Sequence, residues 1–464
     1  MAYHPGLNPI VHGTKISSAW MEYVEDSIDT AVSGSHVGPY SFVVRKNGAV
    51  YEAYANGVLT YGGASNAGGV DGTDASAVIQ AALNNLTAGR TWKEHIHIKG
   101  SFTCATALEI SSYTILTIDG ALDFSAVDED GLRITGAALA RKREIEIYGG
   151  YIKGKGATST KNGIRIYYSD FVRIHNVFVE DWYTGVYEYG CWVNCCIRDS
   201  QIAGNYVYNL VLDYSHTNTI ENCDLSNNKD AAGASIRLMG IAAANHFFGC
   251  IIDNNEGIGI MMISSGDNVF DNCYFEANKD CDYYEEYDGG SANRSKNNQL
   301  KSCRFDVSDS VLRRFNIRAH QTQYLKILNC EFRNSFDWNY AEAAIWLDST
   351  TIGTLIEGCS HYPSAGTYPL VGIEVNATAI IRNNPTWVTE NGGFEEGTGA
   401  QQTIPHGCNF APEYSEVILS NIDDIAGGNC RQTAAPDAAN IYVTGTLNRY
   451  YRWAIDVSRR PAPV

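Results

Sequence analysis

Between residues 93 and 387 the apolar positions recur in short alternating runs, not at helical spacing. The runs RIHNVFVED, IRDSQIAGN, IENCDLSNN, FFGCIIDNN, FDNCYFEAN, LKSCRFDVS, ILNCEFRNS, IEGCSHYPS and IIRNNPTW align on one polar or glycine position: Asn176, Asp199, Asn222, Gly249, Asn272, Ser302, Asn329, Gly358 and Asn383. The steps between these anchors are 23, 23, 27, 23, 30, 27, 29 and 25 residues. A unit of this length cannot bury its own apolar face and must stack on its neighbours. A polar residue turning a corner, then a small apolar one facing inward, predicts a backbone that winds once per repeat, with coils about 4.8 Å apart. About twelve residues before each anchor lies a second alternating strand. Its period of two turns Ile164, Leu212, Ile236, Leu238, Ile260, Ile317, Leu347 and Val375 toward the interior.

The residue after the anchor is cysteine in six consecutive repeats: Cys223, Cys250, Cys273, Cys303, Cys330 and Cys359. Stacked coils place these thiols in one buried file, where free cysteine behaves as a small hydrophobe. Zinc and disulfides are the rival uses of the chain's 13 cysteines. No CxxC occurs, and the adjacent pair Cys195 and Cys196 cannot supply one, so structural thiols are expected and no metal ligand is assigned.

The open ends of such a coil need covers. VDGTDASAVIQAALNNL (70–86) supplies one: Asp71, Thr73 or Asp74 caps a helix whose Val78, Ile79, Ala82, Leu83 and Leu86 form one apolar stripe. Residues 13–32 form a second amphipathic pattern, with Ile16, Trp20, Val24, Ile28 and Ala31 on one face. Between the two, Phe42–Arg45 and Val50–Tyr54 flank a Lys46-Asn47-Gly48 turn, with a second turn at Asn56-Gly57. From about Val388 the repeat stops. Strands predicted at 402–404, 416–419, 441–444 and 450–457 suggest a small antiparallel sandwich, with His406 in one of its turns.

Hydrophobic residues make up 44% of the 464-residue chain and charged ones 19%, enough apolar material for a long core. The net charge of −18 disfavours nucleic acid, whose phosphates are bound by Lys and Arg. It also disfavours a strongly anionic polysaccharide unless a groove is locally basic or a cation bridges it. No apolar stretch reaches about 18 residues, so membrane insertion is not expected. The first residues lack a basic start followed by an apolar run, so assembly in a cytoplasm is expected. Twenty-nine Tyr and eight Trp exceed the needs of a core and point to a binding face.

The capping segment resembles the start of pectate-lyase-like right-handed β-helices, and the resemblance covers about residues 65–386. Residues 13–32 resemble the "G-T-x-I-S…E-D-x-I" segment near the start of phage tail and appendage proteins. The run Ile404-Pro405-His406-Gly407, then Pro412 and Val417-Ile418-Leu419, ending in Tyr451-Arg452-Trp453-Ala454-Ile455, resembles C-terminal sandwich modules of tail-associated proteins, which often trimerise or bind glycans. These resemblances imply an all-β fold: a single-stranded right-handed parallel β-helix with an N-terminal helix, a small hairpin and a C-terminal antiparallel β-sandwich. The expected divisions are 1–40 (attachment segment), 41–66 (hairpin unit), 67–387 (β-helix) and 388–464 (sandwich). They further imply a tailspike-type homotrimer in a virion tail, joined to other tail proteins through its N-terminus, that binds and could depolymerise a cell-surface glycan. A free-standing microbial lyase or hydrolase, secreted in that case, and a non-catalytic adhesive virion protein are the alternatives. The Asn-Thr-Asp, Asp-Asp, Gly-His-Gly and Arg-Ile-Lys motifs of polygalacturonase-like β-helices are absent, as is the pectate lyase Trp-Ile-Asp-His run. No cofactor is implied. Calcium is compatible with such folds, but no motif here calls for it.

In such folds the chemistry sits on an outward sheet face. The second strand gives two outward columns: Arg165, Tyr187, Val211, Arg237, Met261, Arg318, Trp346, Glu374, and Tyr167, Tyr189, Asp213, Met239, Ile263, His320, Asp348, Asn376. Carboxylates one and two coils apart bracket the spacings of retaining and inverting glycosidases. Asp213 with Arg237 forms an acid–base pair, and Arg318, His320, Trp346 and Asp348 a sugar-binding cluster. Tyr187 and Tyr189 are further substrate-binding candidates. Val211, Met239, Met261 and Ile263 form an apolar patch that instead suits a subunit interface. Asp280 to Asp288 reads as a protruding loop in the longest coil, with Tyr284 a stacking platform and Glu286 a catalytic acid. Trp182 reads as a second platform on a corner loop.

Overall fold

The computed structural model describes residues 40–286, 295–307, 315–334, 343–362, 370–373, 379–384, 390–396, 400–405, 417–421, 430–436, 440–445 and 450–456. The amphipathic segment 13–32, His406, Glu374, Val375 and Asn376 lie outside them.

The chain is a parallel solenoid with three faces. All nine anchors adopt the left-handed backbone conformation, with φ between 50° at Asp199 and 69° at Gly358. Asn, Asp and Gly tolerate that conformation best, which is why they recur at this corner. The strand before the corner forms the first face, where Ile174, Ile197, Ile220, Phe247, Phe270, Leu300, Ile327, Ile356 and Ile381 stack in register. The strand after it forms the second face. In the early coils the two faces run on as one strand: Thr114–Asp123 pairs with both Lys142–Tyr148 and Tyr151–Lys153. The third face is an 11-stranded parallel sheet from Leu108–Glu109 to Val371–Ile373. The seven predicted inward residues of this face that are described are fully buried.

The six thiols lie in file and are free. Each points at the carbonyl two residues before it and at one on the preceding coil, at 3.3 to 3.7 Å. Beside this file runs an asparagine ladder that the sequence reading missed. Asn218, Asn245, Asn268 and Asn298 are buried, and each side-chain oxygen from Asn245 on accepts the backbone N–H of the preceding rung at 3.0–3.1 Å. Its signal was an Asn five residues before each of Cys223, Cys250, Cys273 and Cys303. Inside the later coils Phe275, Phe305 and Phe332 stack with centroids 4.6 and 4.8 Å apart.

The front is capped as expected. Helix α1 (Ala75–Asn84) takes Asp74 as its N-cap, whose side chain accepts from the Ala77 N–H. Its stripe of Val78, Ile79, Ala82 and Leu83, with Leu86 just beyond, is buried, and the N–H groups of Ala105 and Thr106 donate to Ser76 Oγ. The hairpin is not a separate unit. Phe42–Asn47 pairs antiparallel with Val50–Ala55 but also parallel with Glu94–Thr103, Val44 opposite Ile98, so it extends the first face by one strand. At the C-terminal end lie two three-stranded antiparallel sheets, built from Glu390–Glu396, Tyr450–Asp456 and Val417–Asn421, and from Gln401–Pro405, Asn440–Gly445 and Cys430–Ala434. The first and fourth of these strands in chain order, Glu390–Glu396 and Cys430–Ala434, were not predicted.

Candidate functional site

The outward side of the third face carries both expected columns, with changes at its C-terminal end. Register runs Arg165, Tyr187, Val211, Arg237, Met261, Tyr284, Arg318, Trp346 and then Gly372. Tyr284 therefore stands between Met261 and Arg318, and Gly372, not Glu374, follows Trp346. In the second column Ile263 lies beside Glu286. The expected protruding loop is corrected here: Tyr283–Glu286 is a strand of the sheet, with Tyr283 and Glu285 fully buried and Tyr284 and Glu286 outward. Sequence alone hid this because five acidic residues crowd positions 280–288 and the coil is long.

Trp182 is also corrected. It is 0% exposed, donates Nε1–H to the Ile152 carbonyl at 3.2 Å and packs against Phe124, so its ring faces the core and not solvent.

The first polar end of the face is a field of tyrosines. Tyr167 lies 5.8 Å from Tyr187 and 5.3 Å from Tyr189 between ring centroids. Tyr168 and Tyr214 meet Tyr189 edge-on, and Tyr214 is 47% exposed. The Arg165 guanidinium lies over Tyr167 and pairs with the buried Asp130 at 2.9 Å. Tyr168 and Tyr214 were missed because each follows a strand end and breaks the alternation. Within this field Asp213 Oδ2 accepts from Tyr187 Oη at 2.9 Å, while Oδ1 has no partner and sits against Gly240. A Cβ at Gly240 would come within 2.5 Å of that oxygen, so glycine keeps room for it. Burial pushes the Asp213 carboxyl up, and the Tyr187 hydroxyl and Arg237 charge only partly oppose this. Arg237 itself donates to Tyr208 Oη at 2.7 Å and lies over that ring, not onto Asp213. The expected Asp213–Arg237 pair is thus two neighbours with separate partners.

The middle of the face is apolar. Val211 is buried, and Met239, Met261 and Ile263 are half-buried, with Met261 packed near Tyr208 and Tyr284.

The second polar end centres on Asp348. Its Oδ1 accepts from the Thr350 N–H at 3.0 Å, the Thr350 hydroxyl at 2.7 Å and the Thr351 hydroxyl at 3.1 Å, and its Oδ2 bonds His320 Nδ1. Burial alone would raise this carboxyl; the Thr350 bonds and the His320 charge outweigh it and hold it low. Arg318 is exposed and lies over the Tyr284 ring, and Trp346 tilts against Phe315. Asp213 and Asp348 are five coils apart, or about 24 Å at the spacing of parallel strands. They cannot act on one bond. Glu286 and Asp348 are two coils apart, about 10 Å, close to the separation used for inverting hydrolysis.

Residues 131–281 match the family model described as a right handed beta helix region. The chain is a right-handed parallel β-helix. No curated protein matches the sequence. Among solved structures, the β-helix is similar to PfbA, a surface adhesin of Streptococcus pneumoniae, at 12% identity and a TM-score of 0.53, over 81% of this chain and 96% of that one. It is similar to the A-module of the Azotobacter vinelandii mannuronan C-5 epimerase AlgE6 at 17% identity and a TM-score of 0.52, over 68% and 93%. It also matches the tailspike protein of E. coli bacteriophage HK620, solved in complex with pentasaccharide, at 9% identity and a TM-score of 0.48, over 93% and 99%. At these identities the likeness is one of fold. Among the described residues no helix is long and apolar enough to cross a membrane.

Proposed function

We propose that this β-helix binds a cell-surface polysaccharide along the outward side of its third face. The observation that carries the reading is the tyrosine field of Tyr167, Tyr168, Tyr187, Tyr189 and Tyr214 around an Asp213 whose Oδ1 has no protein partner. Sugars present apolar C–H faces and hydroxyl groups; aromatic rings match the first, and phenol hydroxyls, which both donate and accept, match the second. Surface proteins and polysaccharide-modifying enzymes among the similar structures support a glycan as the ligand class. Residues 13–32, through their sequence resemblance, favour a phage-type tail appendage over a free-standing enzyme.

A second reading rests on the other end. Glu286 and the His320–Asp348 pair provide a carboxylate, a titratable imidazole and a second carboxylate within two coils, flanked by Tyr284, Arg318 and Trp346. That set suits cleavage of the glycan held along the face. The apolar middle, Met239, Met261 and Ile263, offers the competing use of this face: copies of the chain meeting there as a trimer would cover it and exclude the glycan.

Binding of the full chain to a panel of capsular and cell-wall polysaccharides tests the first reading. We expect retention on at least one glycan and a loss of about tenfold for Tyr189→Ala, or ~1.4 kcal/mol. No retention on any of them overturns it. New reducing ends, or unsaturated products, that vanish in Glu286→Gln would establish cleavage; a bound but uncut polymer would make the protein an adhesin. Light scattering that returns one chain mass removes the trimer.

A further inference from the structure

Two glutamates lie inside the tube in one column, whose other members, from Ile134 to Ile373, are all aliphatic or methionine. Glu285 is fully satisfied: Tyr283 Oη, Thr322 Oγ1 and Asn298 Nδ2 all donate to it. Glu188 is not. It stands in register between Ile166 and Leu212, is 1% exposed, and its Oε2 has no hydrogen-bond partner. A carboxyl oxygen left in a dry core without a donor is destabilising, so an inward Glu at this aliphatic position calls for a ligand.

The neighbours of Glu188 say which. The ligand atoms of Glu188, Cys191 and Cys195 lie within 4.8 Å of one another, and all three residues are buried. These two thiols differ from the six in the file. Cys191 reaches carbonyls only at 3.8 and 4.0 Å and Cys195 only at 3.9 Å, against 3.3–3.7 Å in the file. The Ile166, Tyr189 and Ser169 carbonyls that face them are further electron-rich atoms, and among the described residues no cationic side chain is paired with Glu188. Two sulfurs and a carboxylate, with carbonyl oxygens beside them, form a donor set for a borderline-soft dication that prefers four ligands.

We propose that Glu188, Cys191 and Cys195 bind one zinc ion inside the β-helix, at the coil that underlies the tyrosine field. The ion would displace the protons of the carboxyl and the two thiols, which is the usual coupling of metal to ligand ionisation. This runs against the sequence reading, which assigned no metal ligand because no CxxC occurs; the spacing here is Cys-x3-Cys with the glutamate three residues upstream. Tyr187 and Tyr189 flank Glu188 on the outward side, so the ion would fix the coil that carries these two rings of the glycan platform.

The test uses the full chain folded in the presence of zinc, passed through a chelating resin, and analysed for metal by mass spectrometry. We expect about one zinc per chain. Glu188→Leu, which matches the aliphatic residues above and below it, should fold as judged by circular dichroism and retain less than about one tenth as much; Cys195→Ser should behave alike. Cobalt in place of zinc should give a thiolate charge-transfer band in the native chain and none in Glu188→Leu. The proposal is overturned by a native chain without zinc, by zinc retained equally in Glu188→Leu, or by an intact mass two hydrogens short with Cys191 and Cys195 in one disulfide.

Discussion

The two polar ends of the third face hold one buried aspartate each, and the two are tuned in opposite directions. Asp213 sits among aromatic rings with one donor, Tyr187, and burial dominates, so its carboxyl is pushed up. Asp348 sits among hydroxyls and beside His320, and those partners overcome burial and hold it down. The same residue type at the same strand position thus differs because of what the adjoining turns supply. A rigid stack of strands offers equivalent sites, and the connections between strands decide whether a site is a surface for contact or one for charge.

The largest way to break this contrast is Asp348→Ala. It strands two hydroxyls, an amide N–H and an imidazole, and should cost about 2–4 kcal/mol in urea unfolding. A loss under about 1 kcal/mol would mean that the turn is not organised by the carboxylate. Tyr187→Phe comes next. It leaves both Asp213 oxygens without a protein donor, and calorimetry should show a loss of about 1–2 kcal/mol, with the Asp213 carboxyl raised further.

The pH dependence sharpens the comparison. A lowered folded pKa gives stability that is present above the unfolded carboxylate value, near 4, and is lost as pH falls through the folded one. Asp348 therefore contributes at neutral pH and not in acid. A raised folded pKa works the other way: the contribution of Asp213 is complete below about 4 and is lost as pH rises through its folded value. Subtracting the Asp348→Asn and Asp213→Asn stability profiles from the native one between pH 3 and 7 should give slopes of opposite sign; slopes of one sign would refute the contrast. The smallest effect is that of Asp213→Asn at pH 7, where removing a disfavoured charge should leave stability unchanged or raise it by less than about 1 kcal/mol.

Much of the architecture was legible in the sequence, and the site only in part. The corners were readable because a left-handed backbone selects Asn, Asp and Gly, a local rule that eight of the nine anchors obey, with Ser302 the exception. The inward rows were readable because alternation of period two is local as well. The face was readable down to Asp213, His320 and Asp348, since those strands alternate cleanly. Trp182 failed because Asp-Trp-Tyr at a corner has no period to say which ring turns in, and the loop expected around Tyr284 and Glu286 failed because composition outweighed a four-residue strand.

By itself, then, the sequence determined the winding: repeat length, corner chemistry, the thiol file and the helix that closes the front. Tertiary structure decided which residues meet across coils. Asn245 meets Asn268 and Asp348 meets His320 only once each coil has settled on the last. The steps of 23 to 30 residues show why: connections of unequal length reset the register between coils, and only backbone hydrogen bonding between strands restores it.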